Sequence, residues 1–194
     1  MAIGGQTTNQ IRVAGQGHLY VAPVGTAAPT DVVASWASAS ASWQDLGFTD
    51  ESGVVIGKKD SWDSINTWQT TVAARMVPKS RAFTAKFTLQ QINAITLPLW
   101  AGGGVVATNG ASGYLYTISE TLTSYERALG IEWTDNNGAI TTRIIIPRGQ
   151  VSDTTDVSLT RDKAANLGIT YDALGIDGVT PLAYWYSNDP NLTP

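Results

Sequence analysis

The chain has 194 residues, of which 14% are charged, and a net charge of -4 at neutral pH. This acidic balance argues against a protein that grips nucleic acid by neutralising phosphates with Lys and Arg, and the absence of cysteine excludes disulfides, thiol catalysis and cysteine-based zinc sites. The charged fraction lies well under the roughly 25% usual for soluble domains, so we expect neighbouring copies of the chain to cover much of its surface.

Two short sequences dominate the first third of the chain, after a polar segment at residues 1–16 that predicts an N-terminal arm. The first is GHLYVAPVGT at residues 17–26, which predicts a strand, and the second is WQDLGFTDESGV at residues 43–54. His18 is the only histidine, so a metal site with two histidines is excluded. A Ser-His-Asp triad would depend on His18, and a structural histidine is the favoured interpretation.

The next stretch predicts a polar loop and alternating strands. Residues 60–71 form a long polar excursion that contains tryptophan, and we predict a loop there. Residues 65–77 and 79–90 alternate apolar with polar side chains, which is typical of strands with one buried face. In the second run the apolar positions are Phe83, Ala85, Phe87 and Leu89.

A change of period at residues 90–101 predicts the one helix. Ile92, Ile95 and Leu99 are spaced as on one helical face, and three glycines from Gly102 end the segment. Pro98 opposes this prediction, because an interior proline costs a helix about 3 kcal/mol. A short amphipathic helix remains the preferred interpretation.

The second half of the chain predicts further strands. One is expected at residues 114–118, and a hairpin is expected around an Asn-Gly turn at residues 135–138. Later strands are expected at residues 157–161 and 165–173. Residues 177–194 contain three adjacent aromatics and predict a C-terminal arm that docks on a surface. The interval 17–176 is therefore predicted to be one β domain between two arms.

The charges are unevenly distributed. Residues 58–86 contain six basic and two acidic side chains, a balance of +4, whereas residues 150–194 contain two basic and six acidic side chains, a balance of -4. These patches either pair within one chain or form the two sides of a head-to-tail contact.

Chemical motifs point away from catalysis and cofactors. The chain has no phosphate-binding loop, since the three glycines from Gly102 are not followed by the required lysine. Sixteen carboxylates leave a glycosidase pair formally open, because sequence spacing does not report distance in space. Seven tryptophans could form a platform for sugars, although core or interface positions are the more common use. We therefore predict a protein that is not an enzyme and binds no cofactor.

The two opening sequences, in this order, resemble those of the major tail (tail tube) proteins of long-tailed, siphovirus-type bacteriophages. Further similar features follow in the expected order: RAF at 81–83, QIN at 91–93, VSL at 157–159 and LGITYDAL at 167–174. The resemblance implies a mostly-β fold, a β-sandwich or half-barrel with one short flanking helix and extended terminal arms. The rival interpretation is a monomeric carbohydrate-binding β-sandwich of a virion or cell-surface protein.

The resemblance also implies a function and partners. Six copies would form a ring, and stacked rings would form the tail tube, the conduit for DNA ejection. Partners would be other copies, the tape measure protein, and the tail terminator and distal tail proteins, while double-stranded DNA would pass without specific binding. The protein would be made in the bacterial host cytoplasm and reside in the virion, with no membrane partner.

Candidate contact residues follow from the same resemblance, because such tubes reach between rings with a long loop and terminal arms. The candidates for ring stacking and subunit contacts are Lys58, Lys59, Trp62, Trp68, Arg75, Lys79, Arg81, Tyr184, Trp185 and Tyr186. Glu126 and Glu132 are the candidates for lining the lumen, where acidic groups would repel the DNA backbone.

Overall fold

The computed structural model describes residues 8–135 and 138–192, and its strands form one large and one small antiparallel sheet. The strands are β1 Gln16–Pro23, β2 Gln44–Asp45, β3 Thr49–Ile65, β4 Arg75–Leu89, β5 Val106–Asn109, β6 Gly113–Tyr116, β7 Glu126–Asp135, β8 Ile140–Thr154, β9 Leu167–Ala173 and β10 Tyr184–Ser187. The helices are α1 Trp36–Ala39 and α2 Thr96–Ala101, with 3-10 turns at Thr8–Gln10 and Pro190–Leu192. Strands make up 47% of the described residues and helices 9%, which confirms the mostly-β prediction.

The large sheet has the strand order β2-β1-β7-β8-β9-β4-β3, with β10 paired to the first half of β8. Its concave face carries the main core, a single cluster to which six of these strands and α2 contribute. Neighbouring strands lie about 4.8 Å apart, so a flat sheet would hold β1 and β3 far apart. Instead both strands line one groove, because the sheet curls into a half-barrel.

A second, smaller core covers the opposite face of β1, β7 and β8. Trp36 and Trp43 pack there against Ala22, Ala128 and Ile145. The tryptophans can approach the sheet closely because β7 has a glycine beneath them: a Cβ on Gly130 would lie 2.3 Å from the Trp36 ring. The segment between β1 and β2 is therefore fastened to the outside of the sheet.

Helix α2 begins later than its sequence predicts. The side-chain oxygen of Asn93 accepts hydrogen bonds from the backbone N–H groups of Ile95 and Thr96, at 2.8 and 2.9 Å, and these bonds hold a turn before the helix. Residues 90–95 are not helical, and the helix begins at Thr96. Pro98 lies in the first turn, where backbone N–H groups have no helical partner, so it costs little. Gly102 ends the helix with a φ of 83°.

The prediction of a loop at residues 60–71 is wrong for residues 60–65, which are strand. Strand β3 continues to Ile65, and its last residues pair with the start of β4, so only residues 66–74 form the turn. The predicted strand at 65–77 is likewise wrong over most of its length. The apolar and polar alternation there belongs to a turn whose side chains are all exposed.

Other strand predictions had mixed outcomes. The strands at 79–90, 114–118 and 165–173 are confirmed in substance as β4, β6 and β9. The strand at 157–161 is wrong, since this segment pairs with no strand among the described residues. The central hairpin is confirmed by the β7–β8 pairing, but the turn residues Asn136 and Asn137 lie outside the described residues.

The arms are described in part. Residues 1–7 of the N-terminal arm and the last two residues of the C-terminal arm lie outside the described residues. The rest of the C-terminal arm includes β10, which belongs to the large sheet of its own chain. Within the described part of the chain, no helix is long and apolar enough to span a bilayer.

Candidate assembly surfaces

The β3–β4 hairpin projects from the domain. Every residue from Trp62 to Ala82 is exposed, although the two strands remain paired from Lys58 and Phe83 to Ile65 and Arg75. Residues on both faces of this outer half therefore have no core to cover. An isolated two-stranded ribbon is marginal in water, so this hairpin needs either internal cross-strand pairs or a partner.

Ion pairs across the two strands supply part of that support. The Asp60 carboxylate accepts two hydrogen bonds from the Arg81 guanidinium, at 2.8 and 3.1 Å, and the Lys58 ammonium lies 3.0 Å from the same carboxylate. The hydrogen bonds from Arg81, and then Lys58, lower the pKa of Asp60 to about 2. Lys79 lies 3.4 Å from Asp63. Three of the predicted contact residues thus have partners inside the hairpin.

The hairpin tip, residues 64–78, exposes large apolar side chains among polar ones and contains a single charged residue. Between Asp63 and Lys79 the only charged residue is Arg75, which forms no ion pair with any described residue. Trp68 is 99% exposed and Val72 is 71% exposed. Exposed apolar clusters of this kind mark interaction surfaces.

The C-terminal aromatics anchor β10 to its own chain. Trp185 meets Trp133 edge to face, with ring centroids 5.4 Å apart. Tyr184 and Tyr186 point to the other face and pack against the second core. Trp185 is still 58% exposed, so it combines an internal contact with a free surface.

The segment before β1 and the segment after β10 are joined by an ion pair. The Arg12 guanidinium donates two hydrogen bonds to the Asp189 carboxylate, at 2.5 and 2.6 Å, and these bonds hold the pKa of Asp189 well below its usual range. The segments before β1 and after β10 therefore lie side by side.

The predicted lumen residues are both paired with arginines. Glu126 accepts two hydrogen bonds of 2.7 Å from the Arg148 guanidinium, which lowers the pKa of Glu126. Glu132 contacts the guanidinium of Arg143 and accepts a hydrogen bond of 2.9 Å from the Trp36 indole. The Glu132 side chain is 17% exposed, so most of its surface faces this network.

A groove of about 550 Å³ lies between the start of β1 and the start of β3. The sequence alone does not indicate this groove, because its lining comes from β1, β3, β7 and β10, which are distant in the sequence and are brought together only by the curl of the sheet. Asp50 and Glu51 line it, and neither forms an ion pair with a residue that the structure describes. Its apolar lining consists of Leu19, Val54, Ile56, Ile131, Trp133 and Trp185.

The tryptophans are dispersed rather than gathered on one sugar-binding face. Trp36 and Trp43 are buried, Trp62 and Trp68 lie on the hairpin, and Trp185 lies on β10. Among the described residues no cluster of His, Asp or Glu could hold a metal ion. His18 is exposed on β1, with its Nδ1 3.4 Å from an Asp45 carboxylate oxygen.

The protein is a curled antiparallel sheet from which one hairpin projects. That hairpin exposes Trp68 and Val72, so it is suited to contacts with other protein chains. In agreement with this, the chain matches the family described as phage tail tube protein over residues 4–194. The chain belongs to that family, and it is a structural subunit of a phage tail tube. Comparison with curated proteins finds no significant match.

Proposed function

We propose that the chain forms hexameric rings that stack into a hollow tube, the conduit for DNA ejection. The family membership supports a tube subunit, and the exposed hairpin is the observation that carries the stacking step. Its outer half has no core of its own, and its tip presents Trp68 to solvent. Burying that tip against the next ring would remove apolar surface from water.

The charges of the chain fit the passage of DNA. A net charge of -4 leaves no general attraction to phosphates. We keep Glu126 and Glu132 as the candidates for the lumen wall. The partly exposed pair of Glu126 and Arg148 would make that wall close to neutral rather than strongly acidic, which would let DNA slide without being held. Glu132, at 17% exposed, would add little surface to it.

We further propose the partners that such a conduit needs. The tape measure protein would occupy the bore during assembly, and the tail terminator and distal tail proteins would close the two ends of the stack. Synthesis in the bacterial host cytoplasm would precede incorporation into the virion. The exposed side chains of Trp68 and Val72 on the hairpin give these partners a surface to bind.

The test is negative-stain electron microscopy of the purified chain over a series of protein and salt concentrations. We expect hollow tubes whose end views have six-fold symmetry. Trp68→Ser should stop growth at single rings, because it removes an exposed apolar anchor without touching the core. Leu159→Ser is the matched control, since Leu159 is 81% exposed but lies outside the hairpin. Solely monomeric protein under all conditions, or equal tubes from both variants, would contradict the proposal.

A further inference from the structure

The hairpin tip and the β1–β3 groove are complementary in chemistry. The tip offers exposed apolar side chains, Trp68 and Val72, beside the single cation Arg75. The groove offers apolar walls beside two carboxylates, Asp50 and Glu51, of which Glu51 is exposed. Contacts between tryptophan and an apolar pocket, flanked by opposite charges, are the kind that dominate protein interfaces.

The tip and groove of one chain cannot meet. Both belong to β3, whose residues Thr49–Ile56 line the groove and whose other end leads into the tip. From Val54 to Ile65 a strand of this length extends about 36 Å at roughly 3.3 Å per residue. Because β3 is paired with β4 over this interval, it cannot fold back on itself.

We propose that the β1–β3 groove receives the hairpin tip of a second copy of the chain. Trp68 enters between the apolar walls, and Arg75 faces the carboxylates of Asp50 and Glu51. This inference rests on the proposed function, and it names the surface that each hairpin meets. Each copy has one tip and one groove, so the contact joins two different patches and can be repeated from one ring to the next.

Cross-linking tests the placement directly, since the chain has no cysteine of its own. A variant with Gln69→Cys and Glu51→Cys carries one thiol beside the tip anchor and one at the groove. After assembly and treatment with a short bismaleimide, we expect a ladder of covalent oligomers on a denaturing gel. Gln69→Cys with Leu159→Cys is the control pair and should give no ladder. Assembled tubes that give no ladder from the first pair, or equal ladders from both pairs, would overturn the proposal.

Charge reversal tests the energetics. Arg75→Glu should lower the fraction of chain that pellets as tubes by about tenfold or more, because it places like charges together. Glu51→Arg should have a similar effect, and the double variant should recover most of the loss. Both residues are exposed, so the variants should fold, which circular dichroism checks.

A mixture of the two single variants gives the sharpest outcome. The unaltered tip of the Glu51→Arg copies fits the unaltered groove of the Arg75→Glu copies, and the reversed tip of the Arg75→Glu copies fits the reversed groove of the Glu51→Arg copies. Tubes should therefore form in the mixture although neither variant forms them well alone. If the unaltered chain makes tubes and the variants make them equally well, the groove assignment fails while the proposed function stands. If the unaltered chain makes no assembly at all, both fail.

Discussion

The contact between Arg143 and Glu132 predicts a large loss of stability when one partner is removed. The Arg143 side chain is only 5% exposed, and Glu132 is the carboxylate that balances it. Glu132→Ala leaves the guanidinium buried with two backbone acceptors, the carbonyl oxygens of Asp31 and Ala34 at 2.8 and 2.6 Å. Breaking a buried pair costs about 3 to 5 kcal/mol, and these remaining acceptors place the expected loss near 3 kcal/mol.

Urea unfolding of the unassembled chain measures this loss. With a slope of about 2 kcal/mol per molar urea, a loss of about 3 kcal/mol lowers the midpoint by about 1.5 M. Glu126→Ala is the matched control, because it removes the same group from a pair whose side chains are 28% and 31% exposed. We expect a clearly smaller shift there.

A double replacement distinguishes the stability cost of an unpaired buried charge from the cost of a smaller side chain. Glu132→Leu with Arg143→Met removes both charges while keeping apolar bulk, and buried pairs replaced in this way often regain stability. We expect the double variant to be more stable than Glu132→Ala. Equal midpoints for Glu132→Ala and Glu126→Ala would refute the reasoning, since burial would then have no effect.

Three further predictions concern other parts of the fold. Gly130→Ala should cost about 1 to 3 kcal/mol by forcing apart the tryptophan packed on β7, whereas Gly175→Ala, where an added Cβ meets nothing within 4 Å, should leave the thermal midpoint nearly unchanged. The depressed pKa of Asp60 means that its pairing stabilises the hairpin fully above pH 3.8 and is lost as the pH falls through about 2. Carboxyl NMR titration should show this midpoint and its rise towards 3.8 in Arg81→Ala; an unchanged midpoint would contradict the assigned cause. Glu126→Gln should leave tube length unchanged but slow DNA release from assembled tails, because it leaves its arginine partner uncompensated; unchanged release would count against a lumen position.

The sequence predicts those elements whose side chains divide into a buried and an exposed face. Strand β4 was recognised because Phe83, Ala85, Phe87 and Leu89 alternate with polar residues, and all four contribute to the core cluster. The outer half of the hairpin has no buried face, so the alternation at residues 65–77 reports no burial there and wrongly predicts a strand across the turn at 66–74. The start of α2 depends on a local turn held by the Asn93 side chain, which overrides the helical spacing of Ile92.

The candidate surfaces also differ in whether the sequence alone could reveal them. Trp62 and Trp68 could be singled out from sequence because large aromatics in a polar segment need a partner. The groove could not, because its walls meet only after the sheet has curled. Likewise, sequence marked Tyr184, Trp185 and Tyr186 as a docking segment, but their docking site on β8 depends on a pairing between residues some forty positions apart.

The ion pair between Arg12 and Asp189 makes this chain suitable for circular permutation. Because those two residues are in contact, a short Gly-Ser linker could connect the segment after Asp189 to the segment before Arg12 in place of the residues beyond them, and new ends could be opened at the exposed Gly110 turn between β5 and β6. Circular permutation succeeds where native ends are adjacent and the new ends lie in exposed turns. A cargo domain fused at that turn would then be carried once per subunit along the whole length of a tube.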